Sequence, residues 1–197
     1  IDGHRGKIVW LPTFDAENQI RFAREHRPFV SVVKDGQPVP ELAEIFQIIA
    51  QNDLILETGH SSADEGIILI EAAKKAGVKK IVVTHAMADL VGAKDEHLKR
   101  MIELGATIEC VYLNTLAGPN TATGQPRTTV SIADYTRVIK LFGAEHFIIS
   151  SDLGQPNNPK HPDGMLAFIK ELKAAGLSDE QVDLVARKNP ARLLGLP

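Results

Sequence analysis

The sequence predicts an α/β fold built on a parallel sheet. Three observations carry that expectation. Short β-rich runs alternate with helical stretches along the 197 residues. The β-rich runs are near-continuously apolar, as in strands buried on both faces. Helical stretches close on a glycine just before the next run, at Gly77, Gly105 and Gly143. Strand, helix and strand joined by short turns imply parallel neighbours with right-handed crossovers.

The elements follow in order. Lys7–Thr13 (KIVWLPT) reads as a strand, with Trp10 packed in the core or barrel wall, and a helical stretch runs from about Ala16 to His26. Phe29–Val33 and Gln37–Val39 flank Lys34-Asp35-Gly36 and read as a small β-hairpin with an Asp-Gly turn. Glu41–Gln51 is an amphipathic helix opened by Pro40, a residue suited to a first turn. Leu54–Thr58 (LILET) is a strand, Ala63–Ala76 a helix, Lys80–Thr84 (KIVVT) a strand, and Asp95–Leu104 a helix. Ala106–Leu113 is a strand, Ser131–Phe142 a helix and Phe147–Ser151 (FIISS) a strand. Two helices close the chain, Gly164–Ala175 and Ser178–Arg187, the second opened by a capping-box pair, Ser178 and Gln181. Five strands lie outside the hairpin, whereas a closed (β/α)8 barrel needs eight. Either further units precede Ile1 or the sheet is open. The abrupt start at Ile1, just before a strong strand, is read as a truncation within a single domain spanning 1–197.

Composition narrows the function classes. The chain is 44% hydrophobic and 24% charged, with a net charge of −3, an ordinary globular balance. There is no basic stripe to bind nucleic acid and no apolar run long enough to cross a bilayer. The lone Cys110 excludes an internal disulfide framework. With no secretory signal pattern, it predicts a cytoplasmic, reducing setting and a buried, inert thiol. A fragment of a barrel would expose unpaired strand edges, so a homo-oligomer is expected.

The chemistry-bearing residues sit where the strands end. His60 follows LILET, His85 ends KIVVT, Asn114 follows ATIECVYL, and Asp152 ends FIISS. In a parallel α/β fold these C-terminal ends converge on one face, where catalytic groups collect. Imidazole and carboxylate suit a divalent ion such as zinc, which brings the pKa of water toward neutrality. A carboxylate beside it, here Asp152, takes the water's proton and returns it to a leaving group. Two polar loops form candidate substrate rims. One is Gly154–Asp163, with Gln155, Asn157 and His161. The other is Ala117–Arg127, where Arg127 suits an anionic group. Glu65 reads as a helix-start acid suited to the dipole. Glu57 is assigned no role. His4 lies at the wrong end of its strand, and His26, His97 and His146 read as surface residues.

The segments TGH (ending at His60), VVTHA (carrying His85), SSDLGQPNNP (carrying Asp152) and NPARLLGL (Asn189–Leu196) together resemble the amidohydrolase superfamily, and within it a branch of predicted hydrolases. The resemblance spans nearly the whole chain and implies a (β/α)8 TIM-barrel-like fold. Of that barrel, only the C-terminal five or so β/α units and the hairpin would be present. It implies His60 and His85 as the fifth- and sixth-strand ligands and Asp152 as the eighth-strand ligand and base. Two departures stand out. The His-x-His pair of the family's first strand is missing and is expected upstream of Ile1. The candidate fourth strand, KIVWLPT, ends without lysine or acid; Thr13 and Asp15 are nearest, so one metal is expected rather than two. The implied activity is water attack on an amide, ester or lactone of a small-molecule substrate. The alternatives are metal-dependent decarboxylation on the same ligand frame, a non-catalytic α/β module holding a small anion near Gly59-His60-Ser61-Ser62, and a degenerate barrel that has lost its metal.

Overall fold

The computed structural model describes residues 6–118 and 129–196. His4 lies outside them, as do residues 119–127 of the second rim loop, Arg127 among them. The chain divides into two compact units, Ile1–Ile108 and Glu109–Pro197.

The first unit carries β1 (Ile8–Trp10), α1 (Glu17–Phe22), β2 (Val33–Lys34), β3 (Gln37–Pro38), α2 (Glu41–Gln51), β4 (Ile55–Glu57), α3 (Ala63–Lys75), β5 (Lys80–Val83) and α4 (Asp95–Glu103). It also carries the first residues of β6 (Thr107–Val111). The strands β1, β4, β5 and β6 are successive parallel neighbours, with Leu56 opposite Val9 on one side and Ile81 on the other. Leu56, Leu69, Ile70, Ile81, Leu98 and Met101 lose essentially all contact with water. Burial of this kind, at about 25 cal/mol per Å² of apolar surface, is the main force holding the layers. β2 and β3 pair antiparallel across Asp35 and Gly36, whose φ angles of 51° and 73° are those a two-residue hairpin turn requires.

Local chemistry explains the boundaries. α3 opens on a capping box in which the Ser62 hydroxyl accepts from the Glu65 N–H while the Glu65 carboxylate accepts from the Ser62 N–H. α1 ends four residues short of the expected His26, because Arg24 turns into the left-handed region at φ 55°. Trp10 is not core: it is 52% exposed, since β1 is the outermost strand in the sheet order and its third residue faces water.

The second unit holds the rest of β6, a 3-10 turn (Tyr112–Thr115), α5 (Ile132–Phe142), β7 (Phe147–Ser150), α6 (His161–Ala174), α7 (Asp179–Asp183), a π-turn (Leu184–Lys188) and α8 (Asn189–Leu194). β7 neighbours β6, and the Leu113 N–H donates to the Ser151 carbonyl at 3.1 Å just past their ends. Tyr112 stacks on Phe168 at 5.1 Å between ring centres, and Phe147, Tyr135, Phe168 and Leu172 fill the interior. α6 begins at His161, three residues before the expected Gly164, because Pro162 occupies the first turn, where its missing N–H costs nothing. Gly164 lets this helix approach the loop after β7; a Cβ there would lie 2.1 Å from Leu153 Cδ1.

Among the described residues five parallel-sheet strands and one hairpin are present, the α/β pattern expected from the sequence. Among the same residues no helix is long and apolar enough to cross a membrane.

Candidate active site

In the first unit, three loops at the C-terminal ends of β1, β4 and β5 are laced together. The Leu11 N–H donates to the Glu57 carbonyl at 3.0 Å, and the His60 N–H donates to the Pro12 carbonyl at 3.0 Å. Between the β4 and β5 loops the bonds are reciprocal. The Gly59 N–H donates to Thr84 Oγ1 and the Thr84 N–H donates to Thr58 Oγ1, each at 3.2 Å. The Thr84 hydroxyl in turn donates to the Glu57 carboxylate at 2.9 Å. Glu57 is only 4% exposed, and sequence reasoning missed it. The signal was its place inside an otherwise apolar, fully buried strand, where a carboxylate demands partners. Gly59 takes φ 62°, and a Cβ there would stand 2.4 Å from the carbonyl oxygens of Leu11 and Pro12.

This lacing sets two imidazoles side by side. The rings of His60 and His85 lie 5.3 Å apart between centres, at 67° to one another, and the Phe14 ring meets His60 at 5.9 Å. His60 is 9% exposed, and its Nδ1 lies 3.0 Å from the Gln19 side-chain oxygen. Burial, with the neighbouring charge of His85 as the lesser cause, holds its pKa down to about 4. The ring is therefore neutral at pH 7, the form a metal ligand needs. Two imidazoles on one tetrahedral ion at about 2.0–2.1 Å place their ring centres about 5 Å apart. The observed spacing fits that requirement. Among the described residues, no three His, Cys, Asp or Glu side chains are grouped closely enough to hold an ion; the histidine pair offers two donors.

Asp152 belongs to the second unit, directly after β7. Like His85, with φ 49°, it turns the chain through the left-handed region, at φ 47°. The Gln155 amide donates to its carboxylate at 3.4 Å, and the Asn158 amide donates to the Gln155 oxygen at 2.6 Å. Asn157 is exposed with φ 71°. His161, expected in the loop, is instead the first residue of α6, with Nδ1 2.7 Å from the Ser151 hydroxyl. Asn114 lies in the 3-10 turn; its carbonyl accepts from the Val130 N–H at 2.8 Å, and its side chain hydrogen-bonds the buried Tyr135 hydroxyl.

Other expectations resolve simply. Asp15 pairs with the Arg27 guanidinium, so it is committed to an exposed ion pair. Glu65 is the capping acid of α3. Cys110 is fully buried, and burial pushes its thiol pKa well up. His26 is exposed, but His97 and His146 are only partly so; His97 Nδ1 caps α4 by accepting from the Lys94 N–H at 3.0 Å.

The sequence profile of DUF6282, a family of unknown function, matches residues 2–109. The chain belongs to the DUF6282 family. The matched stretch contains Gln19, Glu57, His60 and His85. No curated protein matches this DUF6282 chain. Solved structures do. A mutant organophosphorus hydrolase from Deinococcus radiodurans has a TM-score of 0.56 at 19% identity, covering 80% of this chain and 52% of its own. An amidohydrolase from Burkholderia multivorans aligns in two crystal forms. With bound HEPES it has a TM-score of 0.55 at 13% identity, covering 98% of this chain and 65% of its own. With bound zinc it has a TM-score of 0.53 at 13% identity, covering 100% and 76%. The TatD homologue YjjV from Escherichia coli K12 has a TM-score of 0.52 at 15% identity, covering 98% and 87%. At such identities the likeness is one of fold. The DUF6282 chain spans 52% to 65% of the length of the first of these structures.

Proposed function

We propose that this DUF6282 chain is a metal-dependent hydrolase of the amidohydrolase type. The observation that carries the reading is the His60–His85 pair. Two imidazoles, one buried and neutral, stand 5.3 Å apart at the ends of adjacent parallel strands. The zinc bound in the Burkholderia multivorans structure supports the choice of ion. His60 and His85 would hold one divalent ion, with Asp152 as the further ligand. The chemistry such an ion supplies is water acidified toward neutrality and a polarised carbonyl. Asp152 would take the water's proton and return it to the leaving group of an amide, ester or lactone. Asn114, Gln155, Asn157 and His161 would contact a small-molecule substrate. Decarboxylation on the same ligand frame is the neighbouring reaction.

The anion-holding alternative is weaker for a physical reason. At the start of α3 the Ser62 N–H is taken by Glu65, the Ala63 N–H by the Val91 carbonyl, and the Glu65 N–H by Ser62. A carboxylate of the chain already sits where an anion would bind.

The chain's zinc content after dialysis, measured by plasma mass spectrometry, tests the proposal. About one ion per chain is expected, lost in His60→Ala and in His85→Ala. A metal-free wild type that takes up no zinc overturns it. Self-association belongs to the same proposal, supported by Trp10, Phe14 and Phe22 at 52%, 51% and 53% exposure. A monomer in sedimentation at micromolar concentration would overturn that part. A reducing, cytoplasmic setting belongs to the same proposal, supported by the free thiol of Cys110.

A further inference from the structure

In the second unit a hydroxyl and an imidazole meet apart from the histidine pair. Ser151 directly follows β7, at the C-terminal end where a parallel sheet collects its reactive groups. Its Oγ lies 2.7 Å from Nδ1 of His161, the first residue of α6. Both sides of this contact are held. Leu153 is buried two residues beyond the serine, and α6 presses on it at Gly164, where a Cβ would stand 2.1 Å from Leu153 Cδ1. Pro162 fixes the first turn of α6. The pair is nevertheless open to water: Ser151 is half-buried and His161 is exposed. A link needed only to hold α6 to β7 gains little from an exposed hydrogen bond, and the fully buried Phe168 and Leu172 already anchor that helix.

We propose that Ser151 and His161 form a catalytic dyad for acyl transfer from esters, with Ser151 the nucleophile and His161 its base. A hydroxyl about 2.6–3.2 Å from an imidazole nitrogen is the arrangement that activates serine. The Ser151 hydroxyl donates to His161 Nδ1, and the single proton of the neutral ring sits on Nε2. Oγ bonds to the carbonyl carbon of the ester while its proton passes to Nδ1. The bond from that carbon to the alcohol oxygen breaks, and the alcohol leaves with the proton. Water then attacks the acyl-serine and gives a proton to Nδ1; the acid departs as Oγ takes that proton back. The N-terminus of α6, a helix of 14 residues with no side-chain cap, adjoins the dyad, and its positive end suits the charge developing on the carbonyl oxygen. Esters are the class rather than amides. Among the described residues no partner orients His161 Nε2, and an amine demands firmer proton delivery than an alcohol in order to leave. The step uses no metal and does not rest on the reading of the histidine pair.

The experiment uses the whole chain with a metal chelator present throughout. The first reagent is a fluorophosphonate, which loses fluoride as its phosphorus bonds to an activated serine oxygen. Peptide mass spectrometry is expected to find about one label per chain, on Ser151. Ser151→Ala should take none, and His161→Ala should react at least about 100-fold more slowly, with unchanged circular dichroism in both. The second reagent, p-nitrophenyl acetate, should release a burst of about one nitrophenolate per chain and leave an acetyl group on Ser151. The wild-type result decides the question even where a variant fails to fold: a native chain in which either reagent leaves Ser151 unmodified overturns the proposal. So does a folded His161→Ala protein labelled at the wild-type rate. Because the chelator removes zinc, failure of the dyad is read separately from failure of zinc uptake by the histidine pair.

Discussion

Acid is expected to unfold this protein through His60. Burial holds its folded-state pKa at about 4, against 6.5 for the free group. As pH falls below 6.5 the unfolded chain takes up a proton that the folded chain refuses until about pH 4. Stability from this residue is therefore complete above about pH 6.5, is lost between 6.5 and about 4, and is flat below. At about 1.4 kcal/mol per pH unit, the full loss is about 3 kcal/mol, and about 2 kcal/mol of it has gone by pH 5. That is a large part of the margin of a typical domain. The assay is urea unfolding followed by far-ultraviolet circular dichroism at pH 8, 6 and 5, with a chelator present, for wild type and His60→Gln. The variant removes the titrating group, so its stability relative to wild type should improve by about 2 kcal/mol from pH 8 to pH 5. A relative stability constant to within about 0.5 kcal/mol across that range would refute the reasoning.

Other perturbations have equally definite outcomes. Gly59→Ala forces a Cβ to 2.4 Å from two carbonyl oxygens at a positive φ, so a loss on the order of 3 kcal/mol or more is expected in urea unfolding. Thr84→Val removes the hydroxyl that accepts from the Gly59 N–H and donates to Glu57. It should cost about 2 kcal/mol, whereas Thr84→Ser should recover most of it. Ser62→Ala dismantles the capping box of α3 and should cost about 1 kcal/mol, visible as a lower urea midpoint with an unchanged slope. Cys110 should resist a thiol reagent such as dithionitrobenzoate in the native chain and react fully in urea, because burial both shields it and raises its pKa.

Much of the fold was legible because its signals are local. Asp35-Gly36 announces a hairpin, Ser62 with Glu65 and Ser178 with Gln181 announce helix starts, and the apolar runs around Leu56, Ile81 and Ile108 announce buried strands. What escaped is not local. The end of α1 depends on Arg24 adopting a conformation that glycine usually marks. The start of α6 hides behind Pro162, which belongs equally to loops and first turns. Trp10 looks like core because its strand is apolar, but among the described residues β1 is the outermost strand, with no strand along one edge, and strand order is invisible in a single run of text. The two histidines were legible as strand-end residues. The partners that hold them were not. Gln19 reaches His60 across 41 positions and Thr84 reaches Glu57 across 27, with no short motif to betray either.

His85 and Asp152 share a backbone conformation that ordinary side chains avoid, at a cost of about 1–2 kcal/mol each. Glycine would occupy both places without that penalty. A library of this gene selected only for heat resistance should therefore drift toward glycine at these two positions, and the survivors should be sturdier. Under the ligand roles proposed for His85 and Asp152, that discomfort is what the chain bears to set a side chain at the tip of each strand.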